Sequence, residues 1–380
     1  MGIKLRQVLP LLTVKNELSK KMKAGNKLTH ESKLSRRDQL LIRQIKERTN
    51  RQNLNNVTRT MTYYEFYRRH PEIHWAFLGH MVSRNGGWNM TDIKGELLSR
   101  LLSEAEQKDF FLFLERGNWL IFQDVYPQFL LYEESVRRET NLFYLLPYFH
   151  VSVFMDVMWN HIWKAGDRYL LAMALIINEQ SYLEKRVIQH PRYQKTVLQT
   201  IEFKLQDLLG LNQILFPCYK GGTDKELHVI GQTLRHFASL QERIRLGKRL
   251  YSLLFGRSDY LQGALNWAAD HPHTGSRKDY WPHLFNDVND SVPGTLYVRR
   301  LKNCQLQSGT NRFYSPTLEH AWKNQAHEEA EIGDWYRDWK VIASLMNDEE
   351  TTDGEIRHEY CKTLEKIELA VMAQTAIFER

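Results

Sequence analysis

The stretch His70-Pro71-Glu72-Ile73-His74-Trp75-Ala76-Phe77-Leu78-Gly79-His80-Met81-Val82-Ser83-Arg84-Asn85-Gly86-Gly87-Trp88-Asn89-Met90-Thr91-Asp92 decides how this chain is read. It gathers three histidines, two tryptophans, an arginine, two asparagines and a Gly-Gly in one place. Pro71 suits the first turn of a helix, where its missing N–H costs nothing. From there the residues predict a helix to about Arg84, stopped by Asn85-Gly86-Gly87, residue types that tolerate positive φ. Thr91 then caps a second helix carrying Ile93, Leu97, Leu98, Leu101 and Leu102 at helical spacing. On the first helix His74, Phe77, Leu78 and Met81 form an apolar stripe. Glu72, Ala76, Gly79, His80 and Ser83 form a small polar one. Such a face is either a close helix contact around a satisfied buried histidine or the wall of a polar pocket. His70 and His74 stand four apart but lack the His-Glu-x-x-His arrangement, so no metal site is expected.

The flanking sequence is mainly α. Residues 58–68 read as a short aromatic helix. Ser103-Glu104-Ala105-Glu106 is a capping box opening a helix that ends at Gly117. Trp119–Tyr132 and Leu142–Trp163 are apolar all round, as in helices at the centre of a large bundle. A membrane span over Asn141–Trp163 is disfavoured, because a central Asp156 would cost about 2.5–3.5 kcal/mol. Asp167 starts the next helix, Leu170 to Ile177, which runs into Glu179. A central helix would carry that carboxyl inward and raise its pKa. A helix emerging at the surface would leave it solvated or paired with Lys185 or Arg186. Pro191 opens a helix through Ile201, Leu205 and Leu208 to Gly210. Phe216–Gly222 reads as a turn and a candidate subdomain boundary (216–223). Thr223-Asp224-Lys225-Glu226 then caps a helix through Val229 to Leu240, followed by Ile244 to Phe255. From Asp270 to Pro316 the helical period is lost, and Tyr280, Trp281 and Phe285 argue that this long stretch is pinned down. His273, Ser276 and Asp279 lie too close in sequence to be a catalytic triad. Two helices, Leu318–Ala330 and Asp334–Met346, an acidic loop over 348–353 and a last helix from Ile356 to Phe378 complete the chain.

The composition is that of a packed protein: 42% hydrophobic and 12% aromatic over 380 residues. The formal charge of +7 is unevenly placed. Residues 1–60 hold 15 Lys/Arg against four acids, leaving the remaining 320 residues at a net −4. The front of the chain, residues 1–50, therefore reads as a basic, solvated extension, and 51–380 as a single helical domain. Ser35-Arg36-Arg37-Asp38 opens a helix within the extension. Cys218, Cys304 and Cys361 stand far apart, which suggests inert thiols in a reducing cytoplasm. No secretory signal, phosphate-cradling loop or cofactor motif is visible.

Several segments resemble the YppC-like proteins of Bacillus-type bacteria, a family defined only as domain of unknown function number 2515. They are Asn55-Asn56-Val57-Thr58-Arg59-Thr60, the stretches 70–78 and 83–92, Leu114–Asp124, Ile176–Gln180 and His273–Pro282. The resemblance spans roughly residues 50–340. It implies a soluble bacterial protein and supplies no catalytic assignments.

Two functional classes follow from the residues. One is a polar pocket, built by the 70–92 motif, that binds or hydrolyses a small molecule. Its catalytic candidates are Glu72, His80 and Glu179, and its ligand-binding candidates His74, Arg84, Asn85, Asn89, His273 and Arg277. The other is an interaction protein whose residues 1–60 contact nucleic acid, an anionic membrane or a protein partner. In the first case His80, Arg84 and Asn89 should share a pocket or buried network reached by Arg277 or His273.

Overall fold

The computed structural model describes residues 2–24, 34–200, 212–220, 226–290, 297–346 and 354–378. The fold is mainly α, with three two-stranded pairings among the described residues. The first helices are α1 (Gly2–Ala24), α2 (Arg36–Gln52), α3 (Asn56–Arg69), α4 (His74–Asp92), α5 (Leu98–Leu101) and α6 (Glu104–Arg138). Then come α7 (Val153–Ala165), α8 (Arg168–Leu183) and α9 (Pro191–Tyr193). An antiparallel pair, β1 (Gln213–Tyr219) and β2 (Leu227–Thr233), precedes α10 (Leu240–Phe255) and α11 (Ser258–Asp270). After the irregular stretch follow α12 (Leu318–Ala321), α13 (Val341–Met346) and α14 (Arg357–Phe378).

Helix α4 lies at the centre, packed on α3, α6, α8, α10 and β1. Its limits differ from those expected. His70 caps α3, Pro71 and Glu72 form a turn, and the helix begins at His74. It then runs straight through Asn85-Gly86-Gly87. Neither glycine supplies a left-handed residue here; both supply room. A Cβ on Gly87 would lie 2.3 Å from Asn56 Oδ1 and 2.4 Å from His273 Nε2, and one on Gly86 3.1 Å from the Asn118 amide. Asn85 does not cap the helix either. Its side chain donates to Leu215 O (2.8 Å) and accepts from Leu215 N (2.8 Å), adding a rung to β1. Thr91 caps nothing, since its hydroxyl donates within the helix to Trp88 O and across to Gly275 O. Packing has overridden weak local stop signals.

Helix α6 shows the same override. Ser103 forms the expected capping box, but the helix passes Gly117 and Pro127 and ends at Arg138. Phe122, Val125, Phe129 and Leu131 along it are buried, as are Leu145, Phe154, Leu175 and Ile176; Val153 is partly buried. Where a turn over Phe216–Gly222 and a helix through Val229 were expected, the described residues form the antiparallel pair of β1 and β2. Ile214, Leu215, Phe216, Val229 and Ile230 suit a packed pleated surface better than a helix. Residues 221–225, with the end of the expected turn, and 201–211, with the helix predicted through Ile201 and Leu208, lie outside the described residues, as does the acidic stretch 348–353. The described parts of the 270–316 stretch, 270–290 and 297–316, are largely irregular as expected, held by buried Tyr280, Trp281, Phe285 and Phe313 and a parallel pairing of Phe285–Asn286 with Phe313–Tyr314. The two helices expected after Pro316, Leu318–Ala330 and Asp334–Met346, shrink to the short α12 and α13. Between them Trp322 stacks on Phe111 (4.1 Å) and donates to Met90 O, and Trp335 donates to Asn178.

The N-terminal region is not held in solvent where it is described. Leu11, Val14 and Leu18 of α1 are buried in the main core, and Lys21 pairs with Asp156 on α7. Helix α2 buries Leu41, Ile45 and Thr49, and Arg48 reaches Glu133 on α6 at 3.1 Å. Nor are all the thiols inert: Cys304 and Cys361 are joined as a disulfide, Cα atoms 5.3 Å apart, while Cys218 is free and buried.

One polar network crosses the apolar centre. Asp124 accepts from Asn178 (2.6 Å) and Gln128 (3.0 Å); Gln128 in turn accepts from the Trp159 indole and Asn178 from Trp335. Burial pushes the Asp124 carboxyl up to about 7, against the pull of Asn178.

Two measurements test this account. Gly87→Ala should lower the unfolding free energy by about 1–3 kcal/mol through overpacking. Gly117→Ala, with nothing within 4 Å of the added methyl, should be neutral or stabilising by up to about 1 kcal/mol. An unfolded aspartate titrates near ~3.9, so the folded state binds more protons between there and about 7. Stability should therefore fall as pH rises through that window. Denaturant titrations should show that Asp124→Asn removes this part of the decline.

Candidate functional site

Helix α4 carries its polar residues on two sides, and they meet different partners. On one side a closed network forms. His80 Nδ1 donates to Thr60 O (2.8 Å), so Nε2 is left to accept from Arg84 Nε (3.0 Å). Burial, then the Arg84 charge, holds the His80 pKa well below the usual imidazole range, so the ring is neutral. Arg84 also donates to His271 O and lies 4.6 Å over the Trp267 ring. Burial lowers its pKa to about 10, which still leaves it charged at neutral pH. Next to it, Asn56 donates to Ser83 O and accepts from His273 Nε2 (2.8 Å) directly above Gly87. Asp279 accepts from the Trp88 indole (3.3 Å), from Thr274 and faces His273 Nδ1 at 3.4 Å. Burial lowers the His273 pKa, with Asp279 opposing. Ser276, by contrast, donates to Ser315 O.

His80 and Arg84 thus share one buried network that the His273 loop reaches, but Asn89, expected with them, does not join it and lies with Arg277 beside a separate cavity. None of His80, Arg84, His273 and Asn85 lines any of the three larger cavities. The hydrogen-bonding groups of His80 are taken up within the network. Glu72 lies apart, in a cavity of about 310 Å³ with Tyr132 and Arg168, where it accepts from Tyr132 OH (2.9 Å). His74 meets Tyr251 OH (2.9 Å) and stacks on Phe255.

Two further cavities use α4 as a wall. The first, about 170 Å³, has Asn89, Asp92 and Arg277 at one side. Arg277 donates to Asp92 through Nε and Nη2, to Asn89 Oδ1 (3.0 Å) and to Tyr280 OH (2.8 Å). Burial works against its charge, but Asp92, Tyr280 and Tyr360 outweigh it and hold the pKa well above the ordinary value.

The second cavity, about 220 Å³, is walled by Trp75, Leu78, Gly79, Val82 and Ser83 of α4, by α8, by α10 and by the hairpin. Glu179 faces it. Burial pushes this carboxyl up to about 8, although Gln180 (3.1 Å) and Trp75 give it hydrogen bonds. Among the described residues no cation is paired with it. The two arginines in the lining are already engaged: Arg59 with Glu115 (2.5 Å) and Asn53, Arg243 with Glu184, Gln180 and Phe237 O. Gln180 accepts from Arg243 while donating to Glu179, so it ties the acid to the charged pair without neutralising it.

Sequence reasoning missed Asn56, Arg59 and Glu115. The signal was available, because Asn56, Arg59, Thr60 and Tyr63 share one helical face and are all buried. For Gln213 and Arg243 no comparable pattern exists. Among the described residues no group of three His, Cys, Asp or Glu is poised to hold a metal, and no helix is long and apolar enough to cross a membrane.

Comparison with known proteins gives relatives but no activity. Residues 51–361 match the family described as Protein of unknown function (DUF2515). The chain is 44% identical over 239 residues to Uncharacterized protein YppC of Bacillus subtilis (strain 168), covering 63% of this chain and 72% of that one. No solved structure matches. The matched span takes in α3, α4, the Glu179 cavity and the loop that closes on Gly87, and the chain belongs to the DUF2515 family.

Proposed function

We propose that the protein binds a small molecule in the Glu179 cavity, with the Glu179 carboxyl as the group that exchanges a proton with it. The observation that carries this reading is an acid without a cationic partner facing about 220 Å³ of interior space, between two arginines each neutralised elsewhere. Its pKa of about 8 leaves it mostly protonated at neutral pH. A neutral carboxyl donates a hydrogen bond to a ligand acceptor, or gives its proton to an amine and becomes the counter-ion. A pKa so near the working pH also suits a general acid in hydrolysis of the bound molecule. Ser83 borders the cavity, but its hydroxyl bonds Thr60 Oγ1 (2.6 Å) and Asn56 (3.2 Å), with no base beside it. A hydrolytic route would therefore use water and Glu179 and not a serine nucleophile.

The alternative, contact with an anionic surface, draws support from α2, where Arg36, Arg37, Arg43, Lys46 and Arg51 are exposed. It leaves the cavity unexplained.

Ligand-observed NMR with small amines and their neutral hydroxyl analogues tests the first reading. Amines of up to about ten heavy atoms should bind, and Glu179→Gln should weaken them about tenfold (about 1.4 kcal/mol). Filling the cavity with Val82→Trp should abolish both classes. Amines that bind equally to wild type and Glu179→Gln would overturn the assignment.

A further inference from the structure

The first cavity has features that the Glu179 site does not use. Its walls are predominantly apolar and come from well-separated parts of the chain, among them Leu97, Phe110, Phe113, Phe285, Leu364 and Ile367. At about 170 Å³ it is slightly larger than an engineered protein cavity of ~150 Å³ that stays dry and takes up benzene. Every charge in its lining is matched. Asp92 neutralises Arg277 (2.6 Å), and Glu96 is shared by Arg300 (3.0 Å) and Arg100 (3.3 Å). A ligand carboxylate or ammonium would find no free counter-ion there, and burying an unpaired charge is strongly disfavoured.

One polar atom in the lining is unmatched. Gln213, the first residue of β1, is only 6% exposed, and its side-chain Oε1 has no hydrogen-bond partner among the described residues. A buried amide oxygen without a donor is uncommon in folded proteins and calls for one. Gln213 borders the cavity, but its amide oxygen is shielded as the side chain stands, so a donor inside the cavity meets it once the side chain turns inward.

We propose that this cavity is a second ligand site, selective for an uncharged apolar molecule bearing one hydroxyl group, which donates to Gln213 Oε1. An aromatic or medium-chain alcohol of about eight heavy atoms meets each requirement: apolar bulk for the walls, a donor for Gln213 and no net charge. A hydrocarbon of the same size would leave the amide oxygen unsatisfied, and the corresponding carboxylate would bring a charge that nothing balances.

The test uses the full-length protein and three probes of nearly equal size: benzyl alcohol, toluene and benzoate, with dissociation constants from NMR titration. Wild type should bind benzyl alcohol about tenfold more tightly than toluene and should not bind benzoate. Gln213→Leu should bring benzyl alcohol down to the level of toluene, and Leu364→Trp should remove both. Glu179→Gln should leave all three constants unchanged, which separates this site from the amine-binding cavity. Equal binding of benzyl alcohol and toluene by wild type, or preference for benzoate, overturns the proposal without reference to any variant. Retention of the alcohol preference in folded Gln213→Leu overturns it as well.

Discussion

At Gly87 three parts of the chain come together at a separation that only a hydrogen side chain allows. The Asn56–His273 hydrogen bond passes over the α4 backbone there, joining α3 to the loop at 271–279. That loop in turn delivers Arg277 to Asp92 and Asn89 one turn further along α4, and Asp279 to the Trp88 indole. The position of this loop on the helical core is fixed by that crossing together with the Arg277–Asp92 pair and the Thr91–Gly275 hydrogen bond. It also explains why so polar a helix is so deeply buried: its side chains replace water with fixed partners on two neighbouring segments.

The interior is accordingly charged but balanced. Arg59 meets Glu115, Arg277 meets Asp92 and Arg243 meets Glu184. Each pair costs desolvation and returns it only through good geometry, so such pairs fix arrangement more than they add stability. Asp124 and Glu179 stand outside this balance. Asp124 sits among amides that satisfy it, which marks it as part of the frame. Glu179 faces a cavity, and that difference in surroundings, more than its pKa, separates a structural acid from a candidate functional one.

The helical class, the buried centre and the chemical concentration at 70–92 were legible because they depend on composition and period. So were the Ser35 and Ser103 caps, which are local. Where the reading failed, it treated a residue type as having one use. Gly86-Gly87 and Gly117 read as stops, yet the first pair serves close approach and the second is merely tolerated. Asn85 was taken as a ligand contact, yet it completes the edge of β1. The hairpin was invisible because strand pairing depends on contacts remote in sequence. Two breaks in helical order point to the loop at 271–279 reaching the motif, but the grouping of His80, Arg84 and Asn89 does not hold, since Asn89 goes with Arg277 to a separate cavity. Which face of α4 meets which space is set by α8, α10 and β1, and no pattern within the motif encodes it.

Strand β1 and the segment that follows β2 tie the two cavities together. Ile214, Leu234 and Phe237 belong to the linings of both. A partition of three side chains has no independent position: a molecule that presses on it from one side reshapes the space on the other. Whatever free energy an occupant of one cavity adds to or takes from binding in its neighbour, the neighbour's occupant must return in equal measure. Ligands in the acidic compartment and the neutral one, taken up as proposed, would therefore report on each other's filling through a shared wall.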